Sequence, residues 1–390
     1  MYKIKTMNTI SPLGTDILKN RGCAVGAEVE SPDALLLRSA ELHGMDFPPE
    51  LLCIGRAGAG TNNIPVEECA ERGIVVFNAP GANAQAVKEL MVCEMVMASR
   101  DVLGAVDWVK SIAGAGDAIP AMVEKGKQSF AGPELKGKTL GVVGLGATGA
   151  LVANIAIELE MTVLGFDPFM SVDAAWLLSR EVVRCETLGE LLAKSDYLSI
   201  NVPFTEDTFH MLDSAALRQV KPGVRVMNES RAEVVDDEAM LSALADGRVA
   251  KYVTDFPNEK LIGAKNVICL PHLGACTPES EENCAVMAAQ EIWDYLHHGN
   301  IRNSVNLPVA SLERMGVCRL CVLHRNVPNM INSFLDLISE RNINVEHMIN
   351  KARGGYAYTI IDLGEQIGSD ITGRILANPA VLRVRVLPAD

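Results

Sequence analysis

Thr139-Leu140-Gly141-Val142-Val143-Gly144-Leu145-Gly146-Ala147-Thr148-Gly149 is the stretch on which the reading of this chain turns. A short apolar run ends in a turn of spaced glycines, and a segment of helical composition follows. Gly-x-Gly-x-x-Gly is common by chance, so its surroundings decide. Here the run 139–144 predicts a strand, 147–158 a helix, and 162–167 a second strand ending in Asp167, 18 residues past Gly149. That is a dinucleotide-binding turn. Gly144 permits the tight bend, Gly146 lets the backbone approach a pyrophosphate, and Gly149 lets helix and strand pack closely. The helix N-terminus faces the phosphates. Asp167 can accept from ribose hydroxyls and repels a 2′-phosphate, so NAD is expected rather than NADP.

The remainder of the 390 residues supports two or three domains. With 48% hydrophobic and 22% charged residues the composition is that of a globular protein. The formal net charge of -14 argues against general binding to nucleic acid or anionic membranes. No apolar run reaches the roughly 18 residues of a membrane span. Met1-Tyr2-Lys3-Ile4-Lys5 leads into a strand, not a signal peptide. Ten scattered cysteines fit free thiols in a reducing cytoplasm. Cys318-x-x-Cys321 lies in an expected strand, where residues three apart face opposite ways, so no metal is expected.

Short apolar strands alternate with helices almost throughout, which means α/β with parallel sheets. Strands are expected at 2–7, 34–38, 52–56 and 75–78. A long helix over 84–111 crosses to a second domain, and 114–138 is a connector. Further strands are expected at 139–144, 162–167, 197–202, 223–228, 251–255 and 266–271. Thr277 then caps a helix with Pro278 at its first position, running to His298. The last part, from 316, reads strand–helix–strand–strand–helix–strand, a ferredoxin-like unit. The expected division is a flavodoxin-like substrate domain (1–100 and 300–310), a Rossmann-type dinucleotide domain (101–299) and a C-terminal domain (314–390).

Three residues after the glycine turn carry chemistry. Arg231 follows the expected strand 223–228, Glu259 follows the one ending at Asp255, and His272 follows the one at 266–271. All lie beyond carboxyl ends of strands, where open α/β sheets bind ligands. A guanidinium holds a carboxylate through two hydrogen bonds. An imidazole takes a hydroxyl proton near neutral pH, and a nearby carboxylate orients it and favours its charged form. Together they describe hydride removal from a 2-hydroxy acid. Arg38 and Arg56 end strands of the first domain and could hold an anion, with the backbone of Ala57, Gly58 and Ala59 and with Asn83 nearby.

With these segments in hand the chain resembles the D-isomer-specific 2-hydroxyacid dehydrogenases over nearly all its length. Gly55-Arg56-Ala57-Gly58-Ala59-Gly60, the turn Gly144–Gly149, Lys221-Pro222-Gly223-Val224-Arg225-Val226-Met227-Asn228 and Pro271-His272-Leu273-Gly274-Ala275 carry the resemblance. It implies that Arg231, Glu259 and His272 are catalytic. It puts Ala147, Thr148, Asp167, Ser230, Arg231, Asp255, His272 and Gly274 against the cofactor. It implies oxidation of 3-phospho-D-glycerate to 3-phosphooxypyruvate with NAD, opening L-serine biosynthesis, in a cytoplasmic homo-oligomer, a dimer or tetramer. The chain departs from the family pattern in three places. Ser230-Arg231-Ala232-Glu233 stands where Ala-Arg-Gly-Gly is frequent, the stretch after Asp255 is one residue short, and Gly81-Ala82-Asn83 replaces an Asn-Gly-Asn loop.

The C-terminal unit resembles an ACT domain, a regulatory module for small ligands. By that resemblance His324, Asn326 and Asn344 would bind L-serine, although Asn329 stands where glycine is expected after Pro328. Two other readings stay open: a glyoxylate or hydroxypyruvate reductase of the same fold, and a non-enzymatic NAD-sensing corepressor. The C-terminal module argues against the first, the retained trio and acidic charge against the second.

Overall fold

The structure, a computed structural model, describes residues 1–388. It divides into two units, residues 84–277 on the one hand and residues 1–83 with those from 278 onward on the other.

The unit of residues 84–277 is built on seven parallel strands. Their spatial order is Val267–Cys269, Val249–Thr254, Val224–Asn228, Tyr197–Ile200, Thr139–Val143, Thr162–Phe166 and Val183–Arg184. The first of these in the chain, Thr139–Val143, lies between Tyr197–Ile200 and Thr162–Phe166, so the winding reverses there. This is the Rossmann-type order, and the reversal marks where a ligand binds. Helix Ala147–Glu158 buries Gly149, Ala150, Val152, Ala153 and Ala156, small residues that let it lie close to the sheet. The helix expected over 84–111 is two helices, Ala84–Ser99 and Val102–Ser111. Asp101 starts the second by accepting from the Gly104 N–H at 3.2 Å, a side-chain cap that competes with continuing the first. The connector 114–138 holds a short helix, Ile119–Gly126, between two 3-10 turns.

The other unit contains a five-stranded parallel sheet in the order Ala24–Gly26, Lys3–Thr6, Ala34–Leu37, Cys53–Arg56, Val75–Phe77, the flavodoxin-like arrangement. The edge strand Ala24–Gly26 was not anticipated, because three residues are too few to display alternation. Helix Pro278–His298 packs here and not on the dinucleotide sheet, contrary to the expected boundary at 299. Its face of Ala285, Ala288, Ala289, Ile292, Tyr295 and Leu296 shares a core with Ile4, Leu36 and Phe77. Gly14 makes the approach possible, since a Cβ there would sit 2.6 Å from the Ala285 carbonyl oxygen. Conversely, helix Ala84–Ser99, expected in the first domain, joins the second unit through Met91, Met95 and Ala98 beside Leu140 and Val152. Periodicity identifies a helix face, not the sheet that receives it.

The C-terminal part is an antiparallel sheet ordered Val345–Arg353, Tyr356–Leu363, Cys318–Arg325, Val381–Pro388, with helices Met330–Ser339 and Ser369–Leu376. That is the ferredoxin-like βαββαβ form. It falls in the same compact unit as residues 1–83, and the last two residues of the expected 314–390 domain lie outside those described. One sheet face packs on its own helices through Cys318, Leu320, Val322, Phe334 and Ile371. The other, with Cys321, Leu323, Tyr358, Ile360 and Leu387, belongs to the core that holds Ile4 and Tyr295. Arginines reinforce the seam. Arg385 donates to the Tyr295 and Leu296 carbonyls at 2.9 and 2.6 Å, and Arg319 to that of His298 at 2.7 Å. These are last-turn carbonyls of helix Pro278–His298, where intrahelical donors run out; that of Tyr295 also accepts from the Gly299 N–H at 3.0 Å.

Candidate active site

The glycine turn has the conformation its residues predict. Gly144 sits at φ +85°, and a Cβ on Gly149 would lie 1.9 Å from the Gly144 carbonyl oxygen. Neither position tolerates a larger residue. A Cβ built on Gly146, which caps helix Ala147–Glu158, meets nothing within 4 Å. Open space therefore lies before that helix N-terminus, where the first N–H groups, including those of Ala147 and Thr148, have no intrahelical partner. Asp167 has a second task that the sequence did not announce. Its Oδ2 accepts from the Leu145 N–H at 2.8 Å and its Oδ1 from the Phe169 N–H at 2.8 Å. It thus braces the glycine turn, and a carboxylate still has lone pairs left for ribose hydroxyls. Open space, free N–H groups and a braced acid fit a dinucleotide.

Arg231 is set by Asn228, buried at the end of its strand. The Asn228 Oδ1 accepts from the Ser230 N–H and Oγ at 3.1 and 2.9 Å, and its Nδ2 donates to the Arg231 carbonyl at 2.9 Å. The half-buried Arg231 guanidinium donates to the Ser230 carbonyl at 2.6 Å, which leaves other N–H groups for a ligand.

His272 is held by a clamp. Asp255 is 1% exposed and accepts from the N–H groups of Leu273 and Gly274 at 2.7 and 2.6 Å. His272 itself sits at φ +56°, a left-handed conformation costing a non-glycine residue about 1–2 kcal/mol. The two short bonds to Asp255 offset that strain. The His272 ring is exposed and meets Phe256 edge-on, centroids 5.3 Å apart. Glu259, expected to pair with it, does not reach it among the described contacts. The turn closes instead through Asn258, whose Oδ1 accepts from the N–H groups of Lys260 and Leu261 at 3.0 and 3.2 Å, and Glu259 is left exposed.

In the other unit, Arg38 follows and Arg56 ends two adjacent parallel strands. Arg38 forms an ion pair with Glu281, so it is not waiting unpaired for an anion. Such a partly exposed pair contributes only about 0–1 kcal/mol, and an incoming phosphate can compete for it. Arg56 lies against the backbone of Gly58, where a Cβ would fall 1.7 Å from its Nη1. The loop is fixed by Ala57 N–H to Leu37 O at 2.7 Å, Ala79 N–H to Gly58 O at 2.9 Å and Asn78 Nδ2 to Ala59 O at 2.6 Å. Asn83 is half-buried and ends this stretch of the unit.

Residues 94–274 match the family described as D-isomer specific 2-hydroxyacid dehydrogenase, NAD binding domain. The D-3-phosphoglycerate dehydrogenase of Haemophilus influenzae is 31% identical over 358 residues, 88% of this chain and 83% of that protein. The chain belongs to the D-isomer-specific 2-hydroxyacid dehydrogenase family. The D-3-phosphoglycerate dehydrogenase of Archaeoglobus fulgidus is 34% identical over 72% of this chain, but the match spans only 53% of that protein. The crystal structure of NAD+-bound 3-phosphoglycerate dehydrogenase from Entamoeba histolytica shares the fold, with a TM-score of 0.61, 24% identity, and coverage of 78% of this chain and 98% of that one.

Within this family's dinucleotide unit, two residues of interest escaped the sequence reading. Glu94 is fully buried on the face of helix Ala84–Ser99 that carries Met91, Met95 and Ala98. Glu229, next to Ser230, has both carboxyl oxygens buried. A glutamate at i+3 from one apolar helix position and i−1 from another was the available signal for Glu94. Nothing in the sequence signals that the two meet.

At the C-terminal sheet a cavity of about 280 Å³ is lined by His324, Asn326, Asn329, Asn332 and Asn350, among others. His324 is 2% exposed, with Nδ1 bonded to the Arg325 carbonyl at 2.8 Å and Nε2 to the Thr359 hydroxyl at 2.9 Å. Both ring nitrogens are occupied, so His324 forms a wall and offers no spare N–H. Asn329 sits at φ +69°, which explains why glycine was expected and why asparagine, tolerant of that region, serves. Asn344 is elsewhere. Its carbonyl pairs with Gly364, whereas Asn326 pairs with Gly355, roughly 30 Å away along one strand.

Proposed function

We propose that this protein oxidises 3-phospho-D-glycerate to 3-phosphooxypyruvate with NAD, the entry to L-serine biosynthesis. The likeness to the Haemophilus enzyme over most of both chains supports this substrate, and the Arg231 and His272 turns support the chemistry. The cofactor, held at the Gly144–Gly149 turn with its ribose at Asp167, supplies the hydride acceptor. Arg231 binds the C1 carboxylate and polarises the C2 oxygen. His272 takes the C2 hydroxyl proton, so that C2 can become the ketone where the bound cofactor would accept its hydride, and then releases that proton to water. Arg56 and Arg38 serve the phosphate. A substrate panel followed by NADH absorbance tests this, run with both cofactors. Turnover of 3-phospho-D-glycerate with NAD well ahead of NADP is expected, and Asp167→Ala should narrow that gap. Turnover of glyoxylate or hydroxypyruvate alone, or equal use of both cofactors by the unaltered enzyme, would refute it.

The protein acts as a homo-oligomer in this reading. Helix Val102–Ser111 leaves Leu103, Val106 and Val109 about half exposed beside an apolar groove of about 470 Å³, and strand Val345–Arg353 has a free edge. L-serine is the proposed effector of the C-terminal cavity. The Asn326, Asn332 and Asn350 amides accept from an ammonium and donate to a carboxylate. Asn344 would reach the cavity of a neighbouring copy across paired edge strands. Calorimetry is expected to detect millimolar L-serine, with the heat abolished in Asn326→Ala. Unchanged heat in that variant would move the site elsewhere, and no heat at all would leave this sheet a structural role.

A further inference from the structure

Glu94, Glu229 and Asp255 bring three carboxyl groups together from three elements: helix Ala84–Ser99, the turn after strand Val224–Asn228, and the end of strand Val249–Thr254. The Oε2 of Glu229 and the Oδ2 of Asp255 border the same small space, 3.0 and 3.2 Å from where a Cβ on Gly274 would stand. Glu94 is fully buried, and both oxygens of Glu229 are closed to solvent although the residue as a whole is half-buried. No N–H or O–H donor of the described residues reaches any of these four oxygens. Asp255 differs, since two backbone N–H groups already donate to it.

Carboxylates are acceptors only, so the three cannot satisfy one another while all are ionised. Like charges this close in a dry site do not coexist. A proton on Glu229 removes the middle charge and turns that group from an acceptor into a donor, whose single O–H donates to Asp255, which already accepts from the Leu273 and Gly274 N–H groups. Burial first, and then the bond and charge of Glu94, push Glu229 up to about 12. Burial pushes Glu94 up to about 7. The ionisable groups that face Glu229 are those two acids, Glu94 from the helix and Asp255 from the strand end.

We propose that Glu229 is a positioning residue, a neutral carboxylic acid wedged between Glu94 and Asp255, which joins the turn carrying Arg231 to the aspartate that clamps the turn carrying His272. This rests on the reading of Arg231 and His272 as the catalytic pair. Glu229 touches neither reactant. Its O–H bond fixes Asp255, and Asp255 fixes the left-handed His272. An ionised Glu229 would instead repel Asp255 and loosen the clamp.

Two measurements on the NAD-loaded enzyme test this independently. Infrared difference spectroscopy at pH 8, comparing wild type with Glu229→Gln, reads the carbonyl stretch of a protonated carboxylic acid. That band is expected in wild type, shifted in D2O and missing from the variant, whether or not 3-phospho-D-glycerate is the substrate. Kinetics then read the consequence. Glu229→Leu, checked for an intact fold by circular dichroism, has no donor and should lose kcat on the order of 10²-fold, as slight misplacement of catalytic groups does. Glu229→Gln keeps the shape and provides an amide N–H, so it should recover most of that loss. Absence of the infrared band overturns the neutral acid. A folded Glu229→Leu with undiminished kcat, or a glutamine variant no better than leucine, overturns the positioning role. If wild type fails to turn over 3-phospho-D-glycerate while the band is present, the substrate assignment fails and the proton assignment stands.

Discussion

His272→Ala should lower kcat on the order of 10²–10⁴-fold, the usual loss for a general acid–base. The ring is exposed at the end of the dinucleotide sheet, on a left-handed backbone clamped by Asp255. Substrate binding should change little, because a neutral imidazole makes few contacts with the ground state. On the proposed role, Arg231→Ala should behave differently and damage both kcat and KM, since a guanidinium that holds the carboxylate would act before and during the reaction. Steady-state kinetics with 3-phospho-D-glycerate separate the two patterns. Glu259→Gln supplies the contrast. From its exposed place it should leave the pH–rate profile almost unmoved, whereas the family pattern calls for a shift. A shifted profile would mean that the turn at Asn258 rearranges on substrate binding to bring Glu259 to His272. A His272→Ala enzyme with kcat near that of wild type would require another base.

The second large effect concerns stability. Arg319 and Asp362 are both 0% exposed and bonded side by side, Nε to Oδ1 at 2.6 Å and Nη2 to Oδ2 at 2.8 Å. The remaining valences are also used, with the His298 carbonyl accepting from Nη1 at 2.7 Å and the Met315 N–H donating to Oδ2 at 2.8 Å. Arg319→Ala leaves a buried carboxylate without its cation and should cost about 3–5 kcal/mol. Replacing both partners, as in Arg319→Met with Asp362→Leu, should cost less than either single removal, because no charge is stranded. Urea unfolding of the three proteins measures this. A single-removal loss below about 1 kcal/mol would contradict the buried-pair account. Because the pair also joins the C-terminal sheet to helix Pro278–His298, protease should find that seam first in the Arg319→Ala protein.

Much of this was legible in the sequence because it is local. Gly144, Gly146 and Gly149 with Asp167 announced a strand–turn–helix–strand that folds as read, since φ sign, close packing and strand alternation are properties of neighbouring residues. The three sheets and their winding followed from the alternation of elements, and so did the places of Arg231 and His272 just after strands. The sequence by itself therefore determined the elements, the dinucleotide turn and the family. Tertiary structure decided what depends on partners far apart in the chain. It assigned helix Pro278–His298 to the first sheet and Ala84–Ser99 to the second, because an apolar stripe fits whichever core has matching volume. It merged the C-terminal sheet into the first core, where Cys321 and Leu323 supply a second apolar face. It left Glu259 exposed, with no contact to His272 among the described residues, and closed both nitrogens of His324. It also brought Glu94, 135 residues before Glu229, into one buried cluster with it and Asp255. Pairing across such separations is set by packing and by the cost of dry charge, and neither is written in the spacing of residues along the chain.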